Sequence, residues 1–437
     1  MLSGWGRYPR AACRLIDAES TADAQAAIVG SESLIARGNG RSYGDAALNP
    51  LATLRMAHCN RVLSFDSKTG TITCESGVLL ADIVERFVPQ GWFPPVTPGT
   101  KFVTIGGMIA ADVHGKNHHG AGSFCDHVAS LDLATADGNV VRCSQKTHPE
   151  LFAATRGGMG LTGVILQATF RMMPIETRLI RRETQRARNL GEVMAQFEQS
   201  SGATYSVAWI DCLSGGDALG RAVLYTGEHV GRQEAQASGQ PCDFNPPRKS
   251  AIRVPFDFPS FALNRWSVRA FNALYYGRAR PGTDLVDLDS YFYPLDALLE
   301  WNRIYGAGGF FQYQCVFPKA ASREGLTKLV EKICEAGSGS FLTVLKLFGP
   351  QNGYLSFPME GYSLALDFRA DTQNLRLANE LDAIVVDHGG RLYLAKDSRM
   401  NAAMLRGYAE LERFRAVRAA VDPHRKFSSL QSQRLGL

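Results

Sequence analysis

No run in this 437-residue sequence approaches the ~18 consecutive apolar residues that a membrane-spanning helix needs. A helical integral membrane protein is therefore excluded. The opening stretch MLSGWGRYPRAACRL has no apolar core, so no secretory signal is expected. Cysteine is present nine times but never as CxxC, and the count is odd. A disulfide framework or a structural zinc site is not expected, and reduced thiols in a cytoplasmic protein fit better. Excess charge is slight, +5 in all, with no basic block or basic–aromatic repeat of a binding module, so no nucleic-acid partner is expected. GxxxxGK[ST] is absent, which excludes a P-loop. There is no internal repeat.

What is present is an ordinary globular composition, 45% apolar and 20% charged, in a chain long enough for two domains. Glycine is plentiful and clusters in the first 165 residues, between apolar runs. That pattern points to loops built from backbone rather than to disorder. Residues 17–30 predict a helix with polar caps and a Gly stop. VLSFDSKTGTITCESG predicts a hairpin followed by a helix from about Leu80, and Asp137-Gly138 a second hairpin turn. HPELFAATRGG predicts a short helix with Pro149 in its first turn, and GLTGVILQATF a strand. No regular βαβ spacing appears, so an α+β fold is expected. From about 179 the texture changes to alternating helices and strands. Residues 231–255 are polar and Pro-rich and predict a loop. FFQYQCVFP, SFLTVLKLFG and YSLALDFR predict strands, TQNLRLANELDAIVVDHGG a long amphipathic helix, and RLYLAK a strand leading into a helical tail.

Gly158-Met-Gly160-Leu-Thr-Gly163 matches GxGxxG, but a helix precedes it and a strand follows, the reverse of a dinucleotide site. It predicts a tight turn. ARGNGRSYGD at 36–45 is more informative: bare N–H groups in successive tight turns make a concave anion site suited to a pyrophosphate. A second Gly-rich stretch, PGTKFVTIGGMIAADVHGKNHHGAGSF, follows about 60 residues later, far enough along for two such loops to wrap one extended anionic cofactor. It contains His114, His118 and His119. Gly115 and Gly120 disfavour a stable helix there, and no carboxylate lies nearer in sequence than Asp112, so no metal site is expected. His118 and His119 are expected to be structural.

ARGNGRSYGD, PGTKFVTIGG and DVHGKNHHGAGSF together resemble the FAD-binding loops of the vanillyl-alcohol-oxidase-type flavoproteins. FLTVLKLFGP, GGRLYLAKDSR and VDPHRKFSS narrow the resemblance to the decaprenylphosphoryl-β-D-ribose 2′-oxidases, the flavin subunits of a 2′-epimerase. It spans nearly the whole chain, from GWGR to QRLGL. The resemblance implies a two-domain PCMH-type FAD fold: an FAD domain at 1–178, an antiparallel-sheet substrate domain at 179–390, and a segment, 391–437, returning to the FAD domain. It implies a first cofactor loop of Arg37, Gly38, Asn39, Gly40, Arg41, Ser42 and Tyr43. A second comprises Gly99, Thr100, Thr104, Ile105, Gly106 and Gly107, continuing through His114, Gly115, Asn117, Gly122 and Ser123. Gly163, Ile165 and Tyr393 complete the implied cofactor contacts.

The resemblance also implies a reaction. The 2′-hydroxyl of a polyprenylphosphoryl-ribose is oxidised to a ketone, with hydride passing to the flavin while Lys396, His114 or Tyr43 takes the proton. A short-chain NAD(P)H-dependent reductase would complete the epimerisation to an arabinose donor for cell walls. Lys116, Gln312, Gln314, Lys346, Ala365 and Lys396 are the implied substrate contacts. The first loop carries Ser42-Tyr43 where many relatives have a flavin-linking His, and the second carries Pro-Gly-Thr-Lys where others have Cys, so noncovalent FAD is expected. Ala365 and Ser363 depart from the family's Cys and Asn, and a thiol-directed inhibitor would find nothing to attack. Residues 248–280 hold seven Lys/Arg against one Asp, with seven aromatics, a composition suited to the headgroup region of a membrane surface. Two other functions stay open: an oxidase of a soluble sugar or alditol, and a flavin-lacking partner subunit.

Overall fold

A computed structural model describes residues 1–244, 251–259 and 261–437. Three sheets organise it. A small parallel sheet has the order Leu15–Asp17, Thr53–Arg55, Ile35–Arg37. Its crossover helix, Thr21–Val29, is capped by the Ser20 side chain on Asp23 N–H. A five-stranded antiparallel sheet has the order Val140–Cys143, Val128–Ala134, Val164–Arg171, Thr71–Glu75, Val62–Asp66. The helices Leu80–Phe87 and Ile105–Ala110 share its core, with Ile83, Phe87, Met108 and Ile109 shielded from solvent.

The third sheet is larger and antiparallel throughout. Its eight strands run Gly282–Asp287, Leu179–Ala187, Ala222–His229, Tyr205–Ile210, Thr343–Phe348, Gly361–Arg369, Phe310–Pro318, Arg391–Leu392. Strand alternation gives it two different faces. Tyr313, Cys315, Phe317, Leu345, Leu364 and Leu366 pack against the long helices Lys319–Ala336 and Thr372–Asp387. The opposite face carries Gln312, Gln314, Lys346, Ser363, Ala365 and Asp367. Register places Gln312 opposite Asp367, Gln314 opposite Ala365, and Lys346 opposite Ser363. The fold is α+β.

Several local expectations are corrected. The second Gly-rich stretch contains a helix, Ile105–Ala110, N-capped by Thr104 on Gly107 N–H. Gly106 is needed within it because a Cβ there would lie 2.8 Å from the Ser76 Cβ. His118–Ala121 forms a single helical turn despite Gly120. RLYLAK is strand only at Arg391–Leu392, after which Lys396 N–H bonds to Tyr393 O at 3.0 Å and closes a turn. The polar stretch 231–255 contains the helix Arg232–Ala237. Residues 248–250 and 260 of the basic–aromatic stretch lie outside the described residues. Its described part forms the helix Arg265–Arg278 and the two-residue strand Ile252–Arg253.

Candidate active site

The two Gly-rich segments meet. Asn39 Nδ2 donates to Phe102 O at 2.8 Å, and a Cβ on Gly38 would lie 2.2 Å from Thr104 Oγ1. Gly40 has φ +64°, a left-handed turn, with the Arg37 guanidinium where its side chain would be. Arg37 Nη2 is anchored on Ser3 O at 2.7 Å. Arg41 lies between the rings of Trp5, at 4.0 Å, and Phe102, at 5.3 Å. Among the described residues, the backbone N–H groups from Gly38 through Ser42 donate to no protein acceptor. A row of unpaired donors on a glycine backbone fits the phosphates of a dinucleotide cofactor. Gly99 faces open space, and Thr100 Oγ1 accepts from Phe102 N–H.

His114 is buried at the centre. Phe348, Phe357 and Tyr393 surround its ring, with centroids 4.8, 5.6 and 5.1 Å away. Gln314 Nε2 lies 3.0 Å from His114 Nε2. An amide nitrogen can only donate, so His114 Nε2 accepts and the proton sits on Nδ1. That Nδ1 is buried and has no partner. Burial, then Lys346, His118 and Lys396, holds the imidazole pKa well below its ordinary value, and the ring is neutral. Asn117 Nδ2 binds Pro95 O at 2.8 Å, and a Cβ on Gly115 would strike Asn117 Oδ1. Gly122 takes φ +70°, which lets Ser123 turn onto the buried carboxylate of Asp112. Ser356 and Gln351 also donate to that carboxylate.

Two lysines, Lys346 and Lys396, act on this ring, and Lys346 links them to a third, Lys116. Lys396 Nζ stands 3.9 Å from the Tyr43 ring centroid. Lys116 Nζ donates to Tyr291 O and lies 4.3 Å from that residue's ring. Lys346 projects from the sheet and lowers the pKa of His114, Lys116 and Lys396 alike. Desolvation pulls Lys396 and Lys116 down to about 7 and Lys346 to about 8. Among the described residues none of the three lies within ion-pair distance of a carboxylate. Asp367, absent from the sequence-based candidates, is the acidic group that acts on Lys396, raising its pKa. Burial lifts its own pKa to about 7. Gln312 Nε2 donates to Asp367 Oδ1 at 2.7 Å and lies 3.4 Å from Tyr43 Oη, so it joins Asp367 to Tyr43. A lone acid in the apolar strand YSLALDF, in phase with Ser363 and Ala365, was the signal for it.

The remaining candidates fall into place around these. Tyr393 Oη donates to Ala111 O at 2.7 Å, tying its turn to the second Gly-rich segment. Ala365 lies on the same sheet face, between Gln314 and Val344. Gly163 and Ile165 begin the strand Val164–Arg171. Gly163 permits close approach of Ala134 O, and Ile165 packs in the core. Both sit at the five-stranded sheet rather than on the one that carries Lys346. His118 Nδ1 accepts from Gly349 N–H at 3.2 Å, and His119 Nε2 meets Ala203 O at 2.8 Å.

Residues 14–144 match the FAD binding domain family. The decaprenylphosphoryl-β-D-ribose oxidase of Mycolicibacterium smegmatis is 38% identical across all of this chain and 97% of its own length. The chain belongs to the decaprenylphosphoryl-β-D-ribose oxidase family. An uncharacterized protein in the mprA 5′ region of Streptomyces coelicolor is 36% identical over 82% of this chain and its own full length. The L-gulonolactone oxidase of Bos taurus is 34% identical over 31% of each. As a member of this flavin oxidase family with an FAD-binding domain, the chain is an FAD oxidoreductase.

Proposed function

We propose that the chain oxidises the 2′-hydroxyl of a polyprenylphosphoryl-β-D-ribose to the ketone, the first half of a 2′-epimerisation. The observation that carries this is a cluster of three buried lysines, electrostatically linked through Lys346, none within ion-pair distance of a carboxylate among the described residues. Such a site is short of negative charge, and a phosphodiester supplies it. A neutral sugar or alditol would leave Lys116 and Lys346 with no anion to meet, which weighs against that alternative.

We assign residues 1–178 with 391–437 to the cofactor and 179–390 to the substrate, and we propose that FAD is bound noncovalently. When bound, FAD supplies the two-electron acceptor for the hydride leaving C2′. The chain supplies position and proton transfer. Burial raises Tyr43 well above its ordinary pKa, so it stays protonated and does not take the proton. The Nε2 lone pair of His114 is occupied by Gln314. Lys396, near 7, can take the hydroxyl proton at neutral pH, so it is the base. Gln314 orients His114, and the second hydrogen of the same Gln314 amide nitrogen is donated to Ser363 Oγ at 3.3 Å. Lys116 and Lys346 hold the phosphate.

The ketone requires a reductase to finish the epimerisation, and we assign that step to a short-chain NAD(P)H-dependent partner. No helix among the described residues is long and apolar enough to cross a membrane. Ile252, Phe256, Phe261, Trp266, Phe271 and Leu274 nevertheless leave large apolar side chains exposed close together in sequence, interleaved with Arg253, Arg265 and Arg269. We place this patch on the cytoplasmic membrane surface, from which a polyprenyl lipid must be drawn.

The test is anaerobic. A short-chain prenylphosphoryl-ribose should bleach the long-wavelength flavin band of the purified protein. Bleaching by a free polyol, with none by the phosphoryl-ribose, would move the function to a soluble sugar oxidase. Acid precipitation should leave all flavin in the supernatant.

A further inference from the structure

The helix Arg265–Arg278 lies across one end of the active face of the eight-stranded sheet. Tyr275 Oη meets Tyr225 Oη at 2.9 Å, the Tyr275 ring packs 4.6 Å from Trp209, and Asn272 Nδ2 donates to Asp211 at 2.7 Å. Asn264 caps the helix through Trp266 and Ser267 N–H. Beside this helix runs a groove of about 580 Å³, within the size range of small-molecule sites. Thr184 and Tyr225 line it from the sheet, its floor, and Phe271, Leu274 and Tyr275 from the helix, one wall, with Arg182, Arg278, Arg280 and Asp284 also in its lining.

Register ties the floor to the active centre. Thr184 opposes Tyr225, Tyr225 opposes Val207, Trp209 opposes Val344, and Val344 shares a face with Lys346. Lys346 and Thr184 are thus on one face, three strand spacings or about 14 Å apart. Arg182, in phase with Thr184, lines the groove and also acts electrostatically on Lys116. The groove and Lys346 thus share one face of the sheet.

The chemistry of a glycosyl phosphate fixes what occupies each part. Its phosphate is on C1′, next to the reacting C2′, so the phosphate stays with the lysines. Only the prenyl chain has to leave. We propose that the groove beside Arg265–Arg278 holds the first isoprene units of the lipid and passes the remainder out over Phe271 and Leu274 to the exposed apolar patch. A few isoprene units cover 14 Å. The aromatic and aliphatic wall suits an apolar chain, and Arg278 and Arg280 face the headgroups at the exit. This rests on the proposed prenylphosphoryl substrate.

Geranyl, farnesyl and geranylgeranyl phosphates, titrated calorimetrically into the holoenzyme, read the tail without turnover. Affinity should rise about three- to tenfold per added isoprene unit. Leu274→Asp and Phe271→Asp, at half-exposed helix positions, should flatten that rise while keeping the wild-type thermal midpoint. A rise that persists in both variants puts the tail elsewhere and overturns the groove, as does a flat response in the wild type. Flavin bleaching by the short-chain prenylphosphoryl-ribose separates the two ideas. Its absence from the wild type removes the function, whereas bleaching with a flat chain-length response removes the groove alone.

Discussion

In the proposed reaction Lys396 is the base, a role that rests on its surroundings. An ordinary lysine, near 10.4, is almost fully charged at pH 7 and cannot accept a proton. Desolvation and the repulsion of Lys346 lower Lys396, while Asp367 raises it, and the balance falls near 7. Lys396→Ala should therefore slow anaerobic flavin reduction by about a thousandfold, and near-normal turnover would sink the assignment. The two neighbours should act in opposite senses on the acid limb of the pH profile for flavin reduction. Asp367→Asn removes the negative charge, so Lys396 loses its proton more easily and the limb moves to lower pH. Lys346→Met removes a positive charge, so the limb moves to higher pH. A purely structural role for Asp367 would lower the rate at every pH without moving the limb.

Glycine is the element-scale determinant of the cofactor loops. Gly38→Ala puts a methyl group 2.2 Å from Thr104 Oγ1, whose hydroxyl caps the helix Ile105–Ala110. The two loops must then separate, at about 1–3 kcal/mol. Less FAD should co-purify, read as the ratio of flavin to protein absorbance. Gly99→Ala, with nothing within 4 Å, should retain it. These loops were legible because glycines at such density have a backbone explanation, as was each helix with a polar cap and a Gly stop. Of the three-residue strands of the parallel sheet, Ile35–Arg37 was legible as the short apolar strand before the first Gly-rich turn, whereas Leu15–Asp17 and Thr53–Arg55 were not, since so short a segment shows no period. The helix Ile105–Ala110 hid behind two glycines of poor helical propensity, the first of which, Gly106, close packing on Ser76 requires. The turn carrying Lys396 looked like strand because its residues, YLA, are apolar. They are buried by a turn packed on the first loop, where Tyr43 N–H bonds to Ala395 O at 3.0 Å. Asp367 was overlooked because the strand around it is apolar. It came into view once cross-strand register set it opposite Gln312.

At the scale of the whole molecule, residues 426–434 tie together segments distant in sequence. Leu34 N–H bonds to Lys426 O and Ser428 N–H to Leu34 O, so the tail extends the parallel sheet. Further along, Arg434 Nη2 lies 2.7 Å from Asp45 and 2.9 Å from Asp397. Gln431 donates to Leu394 O at 2.7 Å and to the same Asp397 at 3.0 Å. Asp45 ends the first Gly-rich loop, and Asp397 follows Lys396. One guanidinium thus clamps the Tyr43 loop to the Lys396 turn, and Gly44 leaves room for it, since a Cβ there would meet Asp397 O at 2.0 Å. Arg434→Ala strips two buried carboxylates of their cation and should cost about 3 kcal/mol in urea unfolding at pH 8. The loss should depend on pH. Burial already raises Asp45 above its ordinary pKa with Arg434 in place, and without Arg434 it rises further. A carboxyl raised in the folded state pays nothing below its unfolded pKa, about 4, and progressively more as pH climbs to the folded value. The gap between variant and wild type should therefore be small near pH 4 and widest above neutrality. A gap independent of pH would mean that Arg434 contributes packing rather than charge. Arg434→Lys, which restores the charge but not the two-pronged geometry, should recover part of the stability at pH 8.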